Sequence, residues 1–228
     1  MRIGLTHAEL GASYGLRERM QLTLRLPYDI KATRVHYTLL DGTPYTPPYG
    51  DIHHRDETLT GISDPTLSLE TSPATDWVAG LGVSLPAGHT VEDPIRLGAL
   101  GLKHEHIQFG SGTFRPTLMM QWRQYVRVEA RLSLYTNDRG YRAPHELFWS
   151  AGGKYVRLTG SWQGTGRWHG VADEGSGFYS GGVRLTLPKP WHGTIIAPSI
   201  YRELWSHGFE GQRFKQGTTF GLALTRTF

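Results

Sequence analysis

Between Thr113 and Tyr135 the chain alternates apolar and polar residues twice, in two runs separated by one tight reversal, and few folds accept that pattern. In the first run Phe114, Pro116, Leu118, Met120 and Trp122 are apolar. Thr113, Arg115, Thr117, Gln121 and Arg123 between them are polar, and only Met119 interrupts the rhythm. After a turn near Gln124 and Tyr125, Val126, Val128, Ala130, Leu132 and Leu134 alternate with Arg127, Glu129, Arg131 and Ser133. A period of two is that of a β-strand, so the stretch predicts an antiparallel hairpin with one apolar and one charged face. A soluble sandwich would bury the apolar face and show Arg and Glu to water. A membrane barrel would do the reverse, with lipid outside and charge in the lumen.

Composition narrows the field without choosing. A chain of 228 residues is long enough for a single domain of this kind. No run of about 18 apolar residues occurs, which excludes a transmembrane helix, whereas barrel strands escape such scans because only every second residue is apolar. The 24 Lys and Arg against 20 Asp and Glu are scattered, so no nucleic-acid surface is expected. Cysteine is absent, which removes disulfides and thiolate metal sites and suits an exported protein. The opening MRIGLTHAEL lacks the apolar core of a signal peptide, so the expectation is that a targeting segment lies upstream.

The same rhythm continues along the chain, with no stretch that predicts a helix. Strands are expected at Thr6–Tyr14, Met20–Asp29, Thr58–Glu70, with Leu59, Leu67 and Leu69 on one face and Pro65 marking a bulge, and Trp77–Leu85. Beyond the hairpin they are expected over 147–155, 156–163, 179–187, 194–203 and 217–228. That makes eleven. The connections alternate in length: those near 15–19, 71–76, 124–125, 155–157 and 188–193 are short, and those near 30–57, 86–112, 137–144, 168–177 and 204–216 are long. Short turns at one rim and long loops at the other are the habit of outer-membrane barrels. Tyr14, Trp77, Trp122, Trp149, Tyr155, Trp162 and Tyr179 fall on the apolar face near strand ends, as interfacial belts require, although core aromatics would read the same way. The expected fold is therefore all-β, an antiparallel up-and-down transmembrane barrel in the bacterial outer membrane, with lipid as a partner. Single-chain barrels carry an even number of strands, so a twelfth is expected upstream, unless Val35–Leu40 hides one.

The last strand, GTTFGLALTRTF, ends in an outward Phe228 and resembles the carboxy-terminal signal read by the barrel-assembly machinery, with Arg226 where an apolar residue is usual. The runs GISDPTLSLE, DWVAGLGVSLPAG and FGSGTFRPTLMMQWRQYVRVEARLSLYTNDRGYRAPHELFWSAGGKY are similar to the outer-membrane family of the phenol meta-cleavage pathway. The likeness covers about residues 58–160. Ser63 and Ser111 depart from that family's Gly-x-Gly-Asp and Gly-Thr-Gly patterns. The resemblance implies an exported barrel acting as a channel for small, often aromatic or apolar, solutes. A structural or surface-binding barrel that transports nothing is the alternative.

Chemistry on the charged face has two readings. Arg25, Arg115, Arg123, Arg127, Glu129, Arg131, Arg157 and Arg184 are expected to line the lumen. They could set selectivity, or pair with acids across a lumen too narrow to stay empty, which their alternation in sign favours. Most histidines map to the long loops. His104 and His106 share a face if extended and are weak metal-ligand candidates that His53 and His54 could supplement; no cofactor is expected. For catalysis, His145–Glu146 and Ser206–His207 are the local candidates, and neither has an orienting partner, so a non-enzymatic barrel is expected.

Overall fold

The computed structural model describes residues 2–48, 55–173, 176–208 and 217–226. The alternating stretches become β1 (Arg2–Arg17), β2 (Met20–Arg34), β3 (Glu57–Ile62), β4 (Thr66–Ala74), β5 (Trp77–Ser84), β6 (Arg115–Trp122) and β7 (Val126–Arg131). They continue as β9 (Glu146–Gly152), β10 (Val156–Gln163), β13 (Phe178–Thr186), β14 (Lys189–Trp191), β15 (Thr194–His207) and β16 (Thr218–Arg226). Three short strands, β8 (Tyr141–Arg142), β11 (Arg167–Trp168) and β12 (Val171–Ala172), form a separate sheet within the long loops.

β3 and β4 are two halves of one stave, laddered to Tyr28–Thr33 and Met20–Arg25 of β2. β13 and β14 likewise share β15. Counted so, eleven staves among the described residues follow one another in chain order, each antiparallel to its neighbours, which is the up-and-down barrel architecture. With eleven alternating staves β1 and β16 run the same way, and among the described residues no ladder joins them. Val35–Leu40 contributes no stave, only an isolated Thr38–Pro44 bridge. Turns at 18–19, 75–76, 123–125, 153–155 and 192–193 mark one rim; the ends of the staves that lead from β2 to β3, β5 to β6, β7 to β9, β10 to β13 and β15 to β16 mark the other.

The burial pattern is inverted relative to a soluble domain. Ser84, Thr113, Thr117, Ser133 and Arg115 are almost wholly enclosed, while Leu81, Leu118, Met120, Leu158, Leu222 and Leu224 lie open on the outside. On β6 the two faces alternate from Thr117 on: Arg115 and Thr117 are buried, Pro116, Met119 and Gln121 half-buried, Leu118, Met120 and Trp122 exposed. Water would penalise so continuous an apolar exterior. Lipid does not, and staves that satisfy their backbone groups on their antiparallel neighbours suit it. The aromatics complete the band. Tyr14, Trp77, Trp122, Tyr125, Tyr155 and Trp191 are exposed near the short-turn rim, and Tyr28, Phe114, Tyr135, Trp162, Tyr179 and Trp205 near the long-loop rim. Phe114, just ahead of β6, and Trp122 at its end are eight residues apart, about 26 Å if extended and roughly 20 Å after a tilt of about 40°.

The structure departs from the sequence expectation at defined points. A six-residue helix, α1 (Pro94–Ala99), lies in the 85–114 connection, started by the Asp93 carboxylate accepting from the Ile95 and Arg96 backbone N–H at 2.9 and 3.2 Å and by Pro94 in the first turn. Between Ile62 and Thr66 the chain leaves the ladder and shifts phase by one residue. Leu59 therefore opposes Lys31 on the inward face, while Leu67 and Leu69 face outward as expected. The hairpin ladder ends at Arg131, so Ser133 to Tyr135 belong to the loop region.

Candidate functional site

The inward faces of β6, β7, β9 and β10 assemble one continuous charged wall. Antiparallel pairing sets Thr117 opposite Arg131, Gln121 opposite Arg127, and Arg131 opposite Glu146, so inward side chains of neighbouring staves meet. Arg127 donates to Glu129 at 2.9 Å, Arg131 lies 4.0 Å from Glu129 and 3.3 Å from Glu146, and Arg115 reaches Glu146 at 3.2 Å. Gln163 adds a hydrogen bond to the other Glu146 oxygen at 3.2 Å, and Arg115 donates to the Pro144 carbonyl at 2.6 Å. The signs alternate, as paired charges in a confined space require. Phe148 shares this inward face, and the Arg131 guanidinium stands 5.8 Å from its ring centre.

The other expected lining residues take different places. Arg25 lines a small recess with Ser68, Glu70, Gly80, Thr117 and Glu129, and has no carboxylate within 4.0 Å among the described residues. Arg157 bonds the Gly153 carbonyl at 3.3 Å, Ser150 Oγ at 3.4 Å and the Gln124 carbonyl. Arg184 sits opposite Arg157 in the ladder, its guanidinium 5.7 Å from the Tyr201 ring centre. Arg123 is a correction: the chain has already turned there, with φ 48°, and its exposed guanidinium grips Asp76 at 3.0 Å outside the lumen. That pairing raises its already high pKa.

Above the wall the long loops fold over the mouth. Asp64 closes the neck of the 85–114 connection: its carboxylate accepts from Gly88 N–H at 2.9 Å and from both Ser111 N–H and Ser111 Oγ at 2.8 Å. Gly88 and Gly110 cross so closely there that a Cβ on Gly88 would lie 2.7 Å from the Gly110 Cα. The body of the loop turns inward. Phe109 packs on Gly61, Lys31 donates to the Gln108 carbonyl at 2.5 Å and stands 4.6 Å from the Phe109 ring centre, and Arg55 pairs with Glu57 at 2.6 Å and with Glu105. Asn137 Nδ2 donates to the Ser111 carbonyl at 3.1 Å and Arg139 to the Thr90 carbonyl at 2.8 Å, joining 132–145 to the first loop. Val91, Tyr141, Ala143 and Trp168 make an apolar cluster of buried side chains, with the Tyr141 and Trp168 rings 4.8 Å apart. Burial first, and the Asp173 charge second, push the Tyr141 phenol far above its ordinary pKa.

His104 and His106 lie in the infolded loop with ring centres 5.1 Å apart, and His104 Nδ1 is bonded to the Leu102 carbonyl at 2.9 Å. Among the described residues no three His, Cys, Asp or Glu converge as metal ligands, and His53 and His54 fall outside those residues. His145 Nδ1 takes the Ser133 N–H at 3.1 Å while Glu146 serves the charged wall. Ser206 opposes Ser180 on the inward face, and His207 stacks on outward Tyr179, so the two point to opposite sides of β15. Near the edge stave His7 Nδ1 meets Asp29 at 2.7 Å and Ser63 donates to the same carboxylate. Asp29 stands between them, an order that gives no serine nucleophile an imidazole base.

Sequence reasoning missed Asp64 as a clasp and Phe148 as an inward aromatic. The first carried a signal, an acid directly before a proline at a strand break; the second was masked by Leu147 and Trp149 beside it.

No protein-family model matches the chain, and no curated protein matches it. Its fold is similar to the crystal structure of an outer membrane channel from Pseudomonas putida F1, with a TM-score of 0.51 and 14% identity over 98% of this chain and 83% of that one.

Proposed function

We propose that this chain is a bacterial outer-membrane barrel that passes small solutes, with loop 85–114 setting the constriction. The observation that carries the reading is the exposed aliphatic band between two aromatic girdles, wrapped around an inward wall of charged and small polar side chains. The fold likeness to an outer membrane channel supports it. So does size: about twelve staves enclose more than the roughly eight that side chains just fill, which leaves room for a loop and for solute. Parity supports a twelfth stave between β1 and β16, because those two run the same way. The outward row Phe220, Leu222 and Leu224 on β16 suits recognition by barrel-assembly machinery. The likeness of residues 58–160 to the phenol meta-cleavage family favours small aromatic or apolar solutes. No catalytic role is proposed.

The capped mouth favours the competing reading of a sealed, surface-binding barrel, and conductance separates the two. Protein refolded into a planar phospholipid bilayer should show discrete current steps, enlarged when residues 90–108 are replaced by a short Gly-Ser linker. Silence from both forms would remove the channel reading.

A further inference from the structure

Arg157 and Arg184 face each other directly across the β10–β13 ladder, on the inward face. Like charges in that position repel, and a sheet ordinarily places an acid, a polar group or a hydrophobe at one of them. Here no acid answers either. Among the described residues neither guanidinium has a carboxylate within 4.0 Å, whereas Arg115, Arg127 and Arg131 are all paired. The nearest inward positions are no help: Gly152 and Thr159 beside Arg157, Gly182 and Tyr201 beside Arg184. Glu203, which opposes Gly182, is engaged with the Gly217 N–H at 3.1 Å.

The donors are unequally free. Arg157 spends Nε, Nη1 and Nη2 hydrogens on Gly153, Ser150 and Gln124, leaving two of its five N–H groups; Arg184 rests against Tyr201 with its whole fork available. One anchored guanidinium and one open fork suit the two oxygens of a carboxylate, whose negative charge relieves the repulsion between the two cations.

We propose that Arg157 and Arg184 form a binding site for small organic carboxylates at the short-turn end of the lumen, and that the site makes the pathway anion-selective. The inference rests on the channel reading and deepens it by naming the charge of the solute. The wall from β6 to β13 agrees, since its inward charges are Arg115, Arg127, Arg131, Arg157 and Arg184 against Glu129 and Glu146.

Two measurements on the full chain test it. Reversal potentials in planar bilayers under sodium benzoate and sodium chloride gradients should show anions preferred over sodium, and Arg184→Gln and Arg157→Gln should each reduce that preference roughly threefold. Arg123→Gln, at the same rim but outside the lumen, should leave it unchanged. Independently, benzoate binding to the detergent-folded barrel, followed by titration calorimetry with benzyl alcohol as the uncharged counterpart, should be lost in the double variant. Sodium preference, or a double variant that keeps both selectivity and benzoate binding, overturns the proposal. A barrel that binds benzoate through Arg184 yet conducts nothing keeps the site and refutes the channel.

Discussion

Leu118→Arg separates a lipid-facing exterior from a water-facing one by the sign of its effect. Leu118 is 48% exposed on β6, four residues from Phe114 and four from Trp122. At about 3.3 Å per residue and a tilt of about 40°, that places it roughly 10 Å from either girdle, close to the middle of the band. Neighbouring Leu81 and Ala130 oppose it across the ladder, so an introduced guanidinium finds no acid on that face. At the midplane the substitution should cost about 2–4 kcal/mol, a thirtyfold to nearly thousandfold loss in the folding equilibrium. On a water-facing surface, replacing an exposed Leu by Arg should stay within about 0.5 kcal/mol. Urea titration of protein folded into short-chain phosphatidylcholine vesicles, read by tryptophan emission, gives the difference directly. A neutral or stabilising Leu118→Arg would refute the lipid-facing band and every conclusion built on it.

Asp64→Ala removes a carboxylate that holds three donors at the loop neck; with water partly replacing it, the loss should be about 2–4 kcal/mol, and hydrogen exchange in 89–109 should accelerate at least tenfold while the staves stay protected. Gly160 lies beneath the Trp149 ring, where an added Cβ would come within 2.5 Å of it, so Gly160→Ala should displace the indole and lower stability by about 1–3 kcal/mol in the same urea titration. Because folding raises the Tyr141 pKa above its unfolded value near 10, the stabilisation is complete below about pH 10 and is lost as pH rises through the folded value. Loop protection and the constricted conductance should therefore fade only above about pH 10, and Tyr141→Phe should remove that dependence.

The period of two is written residue by residue, because successive side chains of an extended strand point to opposite sides whatever surrounds it. Hence the staves, their two faces and the alternation of short and long connections were legible in the sequence alone. Leu59 was misplaced because a phase shift at Ser63–Pro65 changes only the register count, and Arg123 because one left-handed residue takes it out of the strand. What the tertiary structure decided is everything that depends on partners distant in the chain. Asp64 meets Ser111 across 47 residues, and Tyr141 meets Trp168 only because three loops with no periodicity converge over one mouth. Nor does the pattern say which arginine keeps an acid. Arg131 and Arg184 look alike as inward residues on alternating strands, and only the register that sets one beside Glu146 and the other beside Arg157 makes them chemically different.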